Sequence, residues 1–170
     1  VHGHKGGVGL DVTVHGHAAH SSKPHLGANA LSGAARIVIA IDAEQERLAA
    51  LEATTPVGKG TVSVTELAGG LARNIIPDQC NLYVGRRTAP GENVDHVRAA
   101  LCDLIESSAA PLSTTIEFLY GDGSPAFYQD PDSNLVRTLA QLADSAPTTA
   151  EYGSNALRYI EVADQLVVFG

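Results

Sequence analysis

The 170-residue chain has no methionine, only two cysteines and no long apolar run. The missing methionine predicts a fragment of a longer protein, because the chain cannot begin at its own start codon. Cys80 and Cys102 form neither a close pair nor part of a Cys-His framework, so we expect two reduced thiols and a cytoplasmic setting. No apolar run approaches the roughly 18 residues that a membrane-spanning helix requires, so the sequence predicts no membrane association.

Basic residues are also scarce. The chain has 11 Lys and Arg against 19 Asp and Glu, which gives a net charge of −8 at pH 7. Nucleic acids and anionic membranes bind basic surfaces, so the sequence predicts neither partner. Hydrophobic residues at 44% and charged residues at 18% are typical of a globular domain.

Apolar periodicity in the first 120 residues predicts four strands and two helices. Residues 8–15 alternate apolar and polar, as in a half-buried strand, and residues 29–48 carry an apolar stripe at helical spacing. Asn93 is suited to cap the second helix, and Pro77 requires a late start or a bulge in the third strand. The β-α-β-β-α-β order predicts an α+β, ferredoxin-like fold: a four-stranded antiparallel sheet with two helices on one face. The other strands are expected at residues 61–67, 73–87 and 114–120.

The pattern changes after residue 120. Asp130 is expected to cap a helix that begins with Pro131, and residues 166–169 to form a buried strand. This stretch is too short to bury a core alone. The sequence therefore predicts a domain at residues 1–120 and a partial α/β segment at residues 121–170.

Six of the seven histidines lie within the first 25 residues. His15 and His17 share one face of a predicted strand and His20 follows, a spacing that could place three imidazoles around a zinc ion. No carboxylate lies beside them in sequence to orient the rings, as metal-bound histidines usually require. Exposed or packed histidines on a strand and a loop are the alternative.

Several motifs in order resemble those of the dizinc acylamino-acid hydrolases, the family of acetylornithine deacetylase, succinyl-diaminopimelate desuccinylase, aminoacylase and glutamate carboxypeptidase. The resemblance covers essentially the whole chain. It implies a lid and dimerisation domain with part of a catalytic domain, from a parent enzyme that uses two zinc ions to cleave the amide bond of N-acyl amino acids or small peptides. The matching segments are residues 4–6 (HKG), 16–30 (GHAAHSSKPHLGANA), 69–77 (GGLARNIIP), 87–91 (RTAPG), 151–156 (EYGSNA) and 167–170 (VVFG).

The resemblance also implies roles for single residues in the lid. His20 matches a histidine that reaches the partner subunit's active site and stabilises the oxyanion, a contact that contributes several kcal/mol in enzymes. Asn74 matches an asparagine that hydrogen-bonds the substrate. Arg87 matches the arginine that holds the substrate α-carboxylate, a task suited to a guanidinium. The adjacent Arg86 leaves open which of the two faces the site.

The family's substrate-pocket turn matches Gly153 and Ser154, with Asn155 in place of the usual acidic residue. The family's zinc ligands lie outside the matched segments, so the resemblance implies no metal ligand in this chain and no activity of the isolated chain. Without zinc, nothing lowers the pKa of an attacking water.

The resemblance further implies a homodimer. Residues 29–48 and 61–67, the first helix and an edge strand, are expected to form the contact, because an exposed edge strand is a template for pairing. A non-enzymatic ferredoxin-like module for dimerisation or amino-acid binding is the alternative, and a histidine-based metal carrier is a weaker one. Residues 121–170 favour the enzyme, since a binding module needs no such segment.

Overall fold

The computed structural model describes residues 1–160 and 162–169. Its main body is a four-stranded antiparallel sheet covered on one face by two helices. The strands are β1 (Gly3–His4), β2 (Gly7–His15), β3 (Ala19–His20), β4 (Thr61–Gly69), β5 (Ile75–Ile76), β6 (Gln79–Arg87), β7 (Ser113–Ser124), β8 (Phe127–Tyr128) and β9 (Thr149–Ala150). The helices are α1 (Ala30–Ala50), α2 (Val94–Ala109) and α3 (Asn134–Ala143), with short 3-10 turns at Pro24–Leu26 and Asn155–Tyr159.

The main sheet has the order β4-β6-β2-β7, and each of its neighbouring pairs is antiparallel. The strands β2 and β6, each of which precedes one of the two covering helices, therefore lie in the centre, as in a ferredoxin-like fold. This confirms the predicted α+β class. The helices α1 and α2 pack on the same face, where their apolar sides join the buried sides of the strands in one core.

Side-chain alternation in β2 builds the centre of that core. Val8, Leu10, Val12 and Val14 are at most 3% exposed, because alternate residues of a strand point to the same face. They meet a stripe on α1 at helical spacing. That stripe consists of Ala30, Ala34, Ile37, Ile41 and Leu48.

Local signals determine where the elements begin. The side chain of Asn29 accepts a hydrogen bond from the amide of Leu31 at the start of α1. Asn93 accepts one from the amide of His96 at 2.9 Å, which confirms its predicted role as the cap of α2. The strand β6 begins only after Pro77, which has no amide hydrogen to give to a sheet.

A second, smaller sheet joins the start of the chain to residues beyond 125. The strand β1 pairs antiparallel with β8 and parallel with β9. Val1 and Val168 exchange two hydrogen bonds: the Val1 ammonium donates to the Val168 carbonyl at 2.6 Å, and the Val168 amide donates to the Val1 carbonyl at 2.8 Å. The strand β7 also runs past residue 120. The division into residues 1–120 and 121–170 stays a prediction.

Two local predictions in this later segment are wrong. The third helix begins at Asn134 with Ser133 as its cap, because the carboxylate of Asp130 instead accepts from the amide of Asp132 in a turn. Residues 166–169 form no strand, although Val168 pairs with Val1 as described. Gly170, part of the last matched motif, lies outside the described residues.

Candidate functional site

The open face of the main sheet and the turn at residues 152–157 enclose a cleft of about 920 Å³. Its floor is formed by glycines on neighbouring strands, Gly7 and Gly9 on β2 and Gly85 on β6. Sheet residues without side chains leave room for a ligand above the backbone. The predicted residues Arg87, Gly153, Ser154 and Asn155 all line this cleft.

The adjacent residues Arg86 and Arg87 point to opposite faces of the sheet. Arg86 is only 4% exposed and lies on the helix side, where its guanidinium donates to the Glu92 carboxylate and to the carbonyl of Arg87. The other Glu92 oxygen accepts from the amide of Ala89. Arg87 is exposed on the cleft side. Both arginines border the cleft, but only the Arg87 side chain is exposed in it, while the Arg86 side chain is buried against Glu92.

The guanidinium of Arg87 is available to a ligand. A Cβ built on Gly7 would lie 3.4 Å from its Nη1 atom, so the side chain lies along the glycine floor. None of the ion pairs among the described residues involves Arg87. An unpaired guanidinium in a cleft is suited to a carboxylate, which it can bind through two parallel hydrogen bonds.

Tyr83 is a cleft residue that the sequence analysis did not identify. A Cβ on Gly9 would lie 2.8 Å from the Tyr83 hydroxyl, and one on Gly85 would lie 3.4 Å from its ring. The ring therefore rests on the glycine floor, where any larger residue would displace it. Only the tertiary pairing of β2 with β6 brings Gly9 opposite Gly85, so no local signal could have identified this contact.

The turn that carries Ser154 is held by the HKG motif. The buried ring of His4 is 2.8 Å from the Ser154 hydroxyl. Next to it, Lys5 pairs with Glu151 at 3.7 Å, with side chains 6% and 85% exposed. The HKG motif by itself indicates no role for His4 and Lys5. In the structure, their side chains contact the segment at residues 151–154, which forms one wall of the cleft.

His20 and Asn74 lie together at the other end of the sheet. The strands β3 and β5 pair antiparallel with His20 opposite Ile75, and the amide of Ser21 donates to the carbonyl of Asn74 at 2.8 Å. Both side chains are exposed. Because β6 separates this ribbon from Arg87, and its nine residues span about 26 Å, the two groups of predicted residues do not share one cleft.

The proton on His20 can be assigned. Its Nδ1 atom accepts a hydrogen bond from the amide of Ser22 at 3.2 Å, with the Ser22 hydroxyl 2.8 Å away. An amide only donates, so the neutral ring carries its proton on Nε2. His20 therefore presents an N–H donor outward.

The described residues do not fit a metal centre. They contain no group of three or more His, Cys, Asp or Glu side chains that could hold an ion. The ring of His15 is hydrogen-bonded to the Thr115 hydroxyl at 2.8 Å, and that of His20 to Ser22. The alternative of a zinc site built from His15, His17 and His20 has no support in this geometry.

The thiols offer no nucleophile. Burial raises the pKa of Cys80, and it raises that of Cys102 together with the nearby carboxylates of Glu106 and Asp103. A raised pKa leaves less thiolate at neutral pH, and the thiolate is the reactive form.

None of the described helices has the length and apolarity to cross a bilayer.

The fold is a ferredoxin-like α+β domain with a second, smaller sheet beside it, and comparison with known proteins identifies its family. Residues 2–112 match the peptidase dimerisation domain of the M20 peptidases. The chain belongs to this family.

Named relatives agree with the family. The chain is 29% identical over 180 residues to acetylornithine deacetylase from Myxococcus xanthus, covering 100% of this chain and 46% of the relative. It is also 29% identical over 161 residues to a protein named "Probable carboxypeptidase" from Neosartorya fischeri, covering 91% of this chain and 34% of the relative. The chain thus spans less than half the length of each.

Solved structures share the fold. A hydantoinase/carbamoylase family amidase from Burkholderia vietnamiensis superposes with a TM-score of 0.71 at 22% identity, over 96% of this chain and 39% of that one. An aminopeptidase from Bacillus cereus gives 0.66 at 17% identity, over 91% and 40%. At these identities the likeness concerns the fold alone.

The opposite orientations of Arg86 and Arg87 lead to a testable difference in stability. We expect Glu92→Gln to lower the free energy of unfolding by about 2 kcal/mol, because it leaves the buried Arg86 cation without its anionic partner. Arg87→Gln should change it by less than about 0.5 kcal/mol, since that side chain is exposed. Urea unfolding of both variants measures this, and equal losses would contradict the assignment.

Proposed function

We propose that this chain is part of a longer, zinc-dependent hydrolase that cleaves the amide bond of N-acyl amino acids or small peptides, similar to acetylornithine deacetylase. The observation that carries the proposal is the exposed Arg87 side chain in the cleft, which forms no ion pair with any described residue and lies beside the turn with Gly153, Ser154 and Asn155. The two free cysteines support a cytoplasmic location. The chain's share of its relatives' length supports a longer protein.

Arg87 binds the carboxylate of the substrate in this proposal. A carboxylate is the group common to N-acyl amino acids and peptides, and a bidentate guanidinium binds and orients it together. The glycine floor lets the substrate backbone approach the sheet, and Tyr83 bounds it on one side. Asn155 replaces an acidic residue, so the pocket carries no carboxylate at this position to repel an anionic substrate side chain.

His20 and Asn74 act on a different active site from the one next to Arg87. The roughly 26 Å along β6 supports a role across the dimer, in which they extend into the partner's cleft. The outward Nε2–H of His20 is a donor suited to the oxyanion that develops as the amide carbonyl is attacked. In this proposal the metal ligands of the parent enzyme lie in the rest of the protein, since the described residues contain no group of three or more His, Cys, Asp or Glu side chains that could hold an ion.

The homodimer forms through α1 and the edge strand β4. Both elements carry large apolar side chains in water, with Ile39 68% exposed on α1 and Leu67 53% exposed at the end of β4. The outer edge of β4 pairs with no other strand among the described residues. Pairing two such edges around a two-fold axis would extend the sheet across both copies.

The dimer surface is tested by a charge placed on α1. We expect the chain to have the mass of a dimer in light scattering at tens of micromolar, and Ile39→Glu to shift it towards the monomer, because the interface would bury an unpaired charge. Leu142→Glu is the matched control, since Leu142 is 76% exposed on α3, away from this surface. A monomeric parent chain would contradict the proposal.

The role of Arg87 is tested by ligand binding. Titration with N-acetyl-L-ornithine, followed by calorimetry, should give an affinity that Arg87→Gln weakens by at least about tenfold, because a charge-assisted hydrogen-bond pair is lost. Arg137→Gln is the control, because this exposed arginine lies on α3 and its guanidinium donates to Asn134 at 3.0 Å. If the two variants bind alike, Arg87 does not hold the ligand.

Metal content and turnover test the proposal that the zinc ions are bound by the rest of the enzyme and not by this chain. After dialysis, the purified chain should hold no tightly bound zinc and should not hydrolyse N-acetyl-L-ornithine. Bound zinc without turnover would point to the histidines near the start of the chain as a metal site. Zinc with turnover would contradict the proposed division.

A further inference from the structure

His4 is the most completely enclosed titratable residue beside the cleft. Its side chain is 0% exposed, and the ring of Phe127 packs edge-on against it at 4.6 Å between centroids. Both ring nitrogens have partners: Nδ1 lies 2.9 Å from the carbonyl oxygen of Lys5, and Nε2 lies 2.8 Å from the hydroxyl of Ser154. The pair with Ser154 links residues 150 positions apart.

These partners determine every proton in the network. A carbonyl oxygen only accepts, so Nδ1 carries the ring proton and Nε2 of the neutral imidazole must accept. The Ser154 hydroxyl therefore donates its single proton to His4. The same oxygen accepts a hydrogen bond from the amide of Ala156 at 3.2 Å. One lone pair is all that remains on Ser154 for a ligand in the cleft.

We propose that His4 is a positioning residue that makes Ser154 a hydrogen-bond acceptor towards the cleft, so that the cleft selects ligands with an N–H donor in addition to a carboxylate. The inference that the ligand carries a carboxylate rests on the proposed function of Arg87. The donor preference follows from the His4 network alone. Ligands that present only an acceptor or a methyl group at this position leave the Ser154 lone pair unpaired and lose affinity.

A Ser-His pair at this distance is also the arrangement of an activated nucleophile, but the surroundings here argue against that role. In a catalytic triad a carboxylate stabilises the imidazolium that forms, whereas His4 faces a neutral carbonyl and an aromatic ring in a buried site. The Ser154 oxygen is further occupied by the amide of Ala156. The pair orients a hydroxyl and does not activate it.

The first test needs no ligand. Long-range ¹H–¹⁵N spectra of the chain should show the His4 ring protonated on Nδ1 at neutral pH, and Ser154→Ala should move the Nε2 resonance towards that of an imine nitrogen without a hydrogen bond. Ser133→Ala is the matched control, because the Ser133 hydroxyl also accepts a hydrogen bond from a backbone amide, as the cap of α3, and is not one of the hydrogen-bond partners of His4. An Nε2-protonated ring, or an unchanged resonance in Ser154→Ala, overturns the inference.

The second test compares N-acetyl-L-ornithine with N-acetyl-L-norvaline, which lacks the terminal ammonium and therefore both its N–H donors and its positive charge; Ser154→Ala separates the two effects, because it removes the acceptor without changing the charge of the cleft. The chain should prefer the ornithine derivative, Ser154→Ala should reduce that preference by about tenfold, and Ser154→Thr should keep it. An unchanged preference in Ser154→Ala, with binding still dependent on Arg87, overturns the inference and leaves the proposed function standing. If neither probe binds, the proposed function is overturned, and the donor selection with it. The ring spectra of the first test still decide the role of His4 in that case. Labelling of Ser154 by a fluorophosphonate would also overturn the inference, because it would reveal a nucleophile.

Discussion

The antiparallel register between β2 and β6 is the constraint on which the cleft depends. Val8 lies opposite Arg86 and Gly9 opposite Gly85, so the apolar residues of both strands face the helices and the glycines face outward together. Side chains in a strand alternate with a period of two, so a slip of one residue would exchange the faces. Such a slip in β6 would bury Arg87 and separate Gly85 from Gly9, so the glycine floor would be lost.

The same sheet places the predicted site residues at two separate ends of the domain. At one end, the HKG segment, the turn at residues 152–157 and Arg87 surround the cleft. At the other, the short β3–β5 ribbon exposes His20 and Asn74. These ends stay apart because an extended strand of nine residues, such as β6, spans about 26 Å. A lid of this kind would serve two active sites at once only if a second copy supplies the other one.

Much of the main domain could be predicted from local patterns. The alternation in residues 8–15, the stripe in residues 29–48 and the cap at Asn93 are each produced by neighbouring residues, and the structure agrees with them. The prediction failed where one local motif competed with another. Asp130 followed by Pro131 satisfies the rule for a helix start. The Asp130 carboxylate nevertheless closes a turn, and the helix begins only after its cap, Ser133.

By itself, the sequence determined the order of strands and helices, the family motifs and the residue types available to the site, because these depend on periodicity and spacing along the chain. The tertiary structure decided which of Arg86 and Arg87 enters the cleft, and it joined His4 to Ser154. It also paired the first strand with segments near residues 127 and 149. Such contacts bring together residues more than 70 positions apart, and no local pattern records the partner that a distant strand will meet. Arg86 is buried beside Glu92, and Arg87 is exposed in the cleft, only because β6 pairs with β2 in this register.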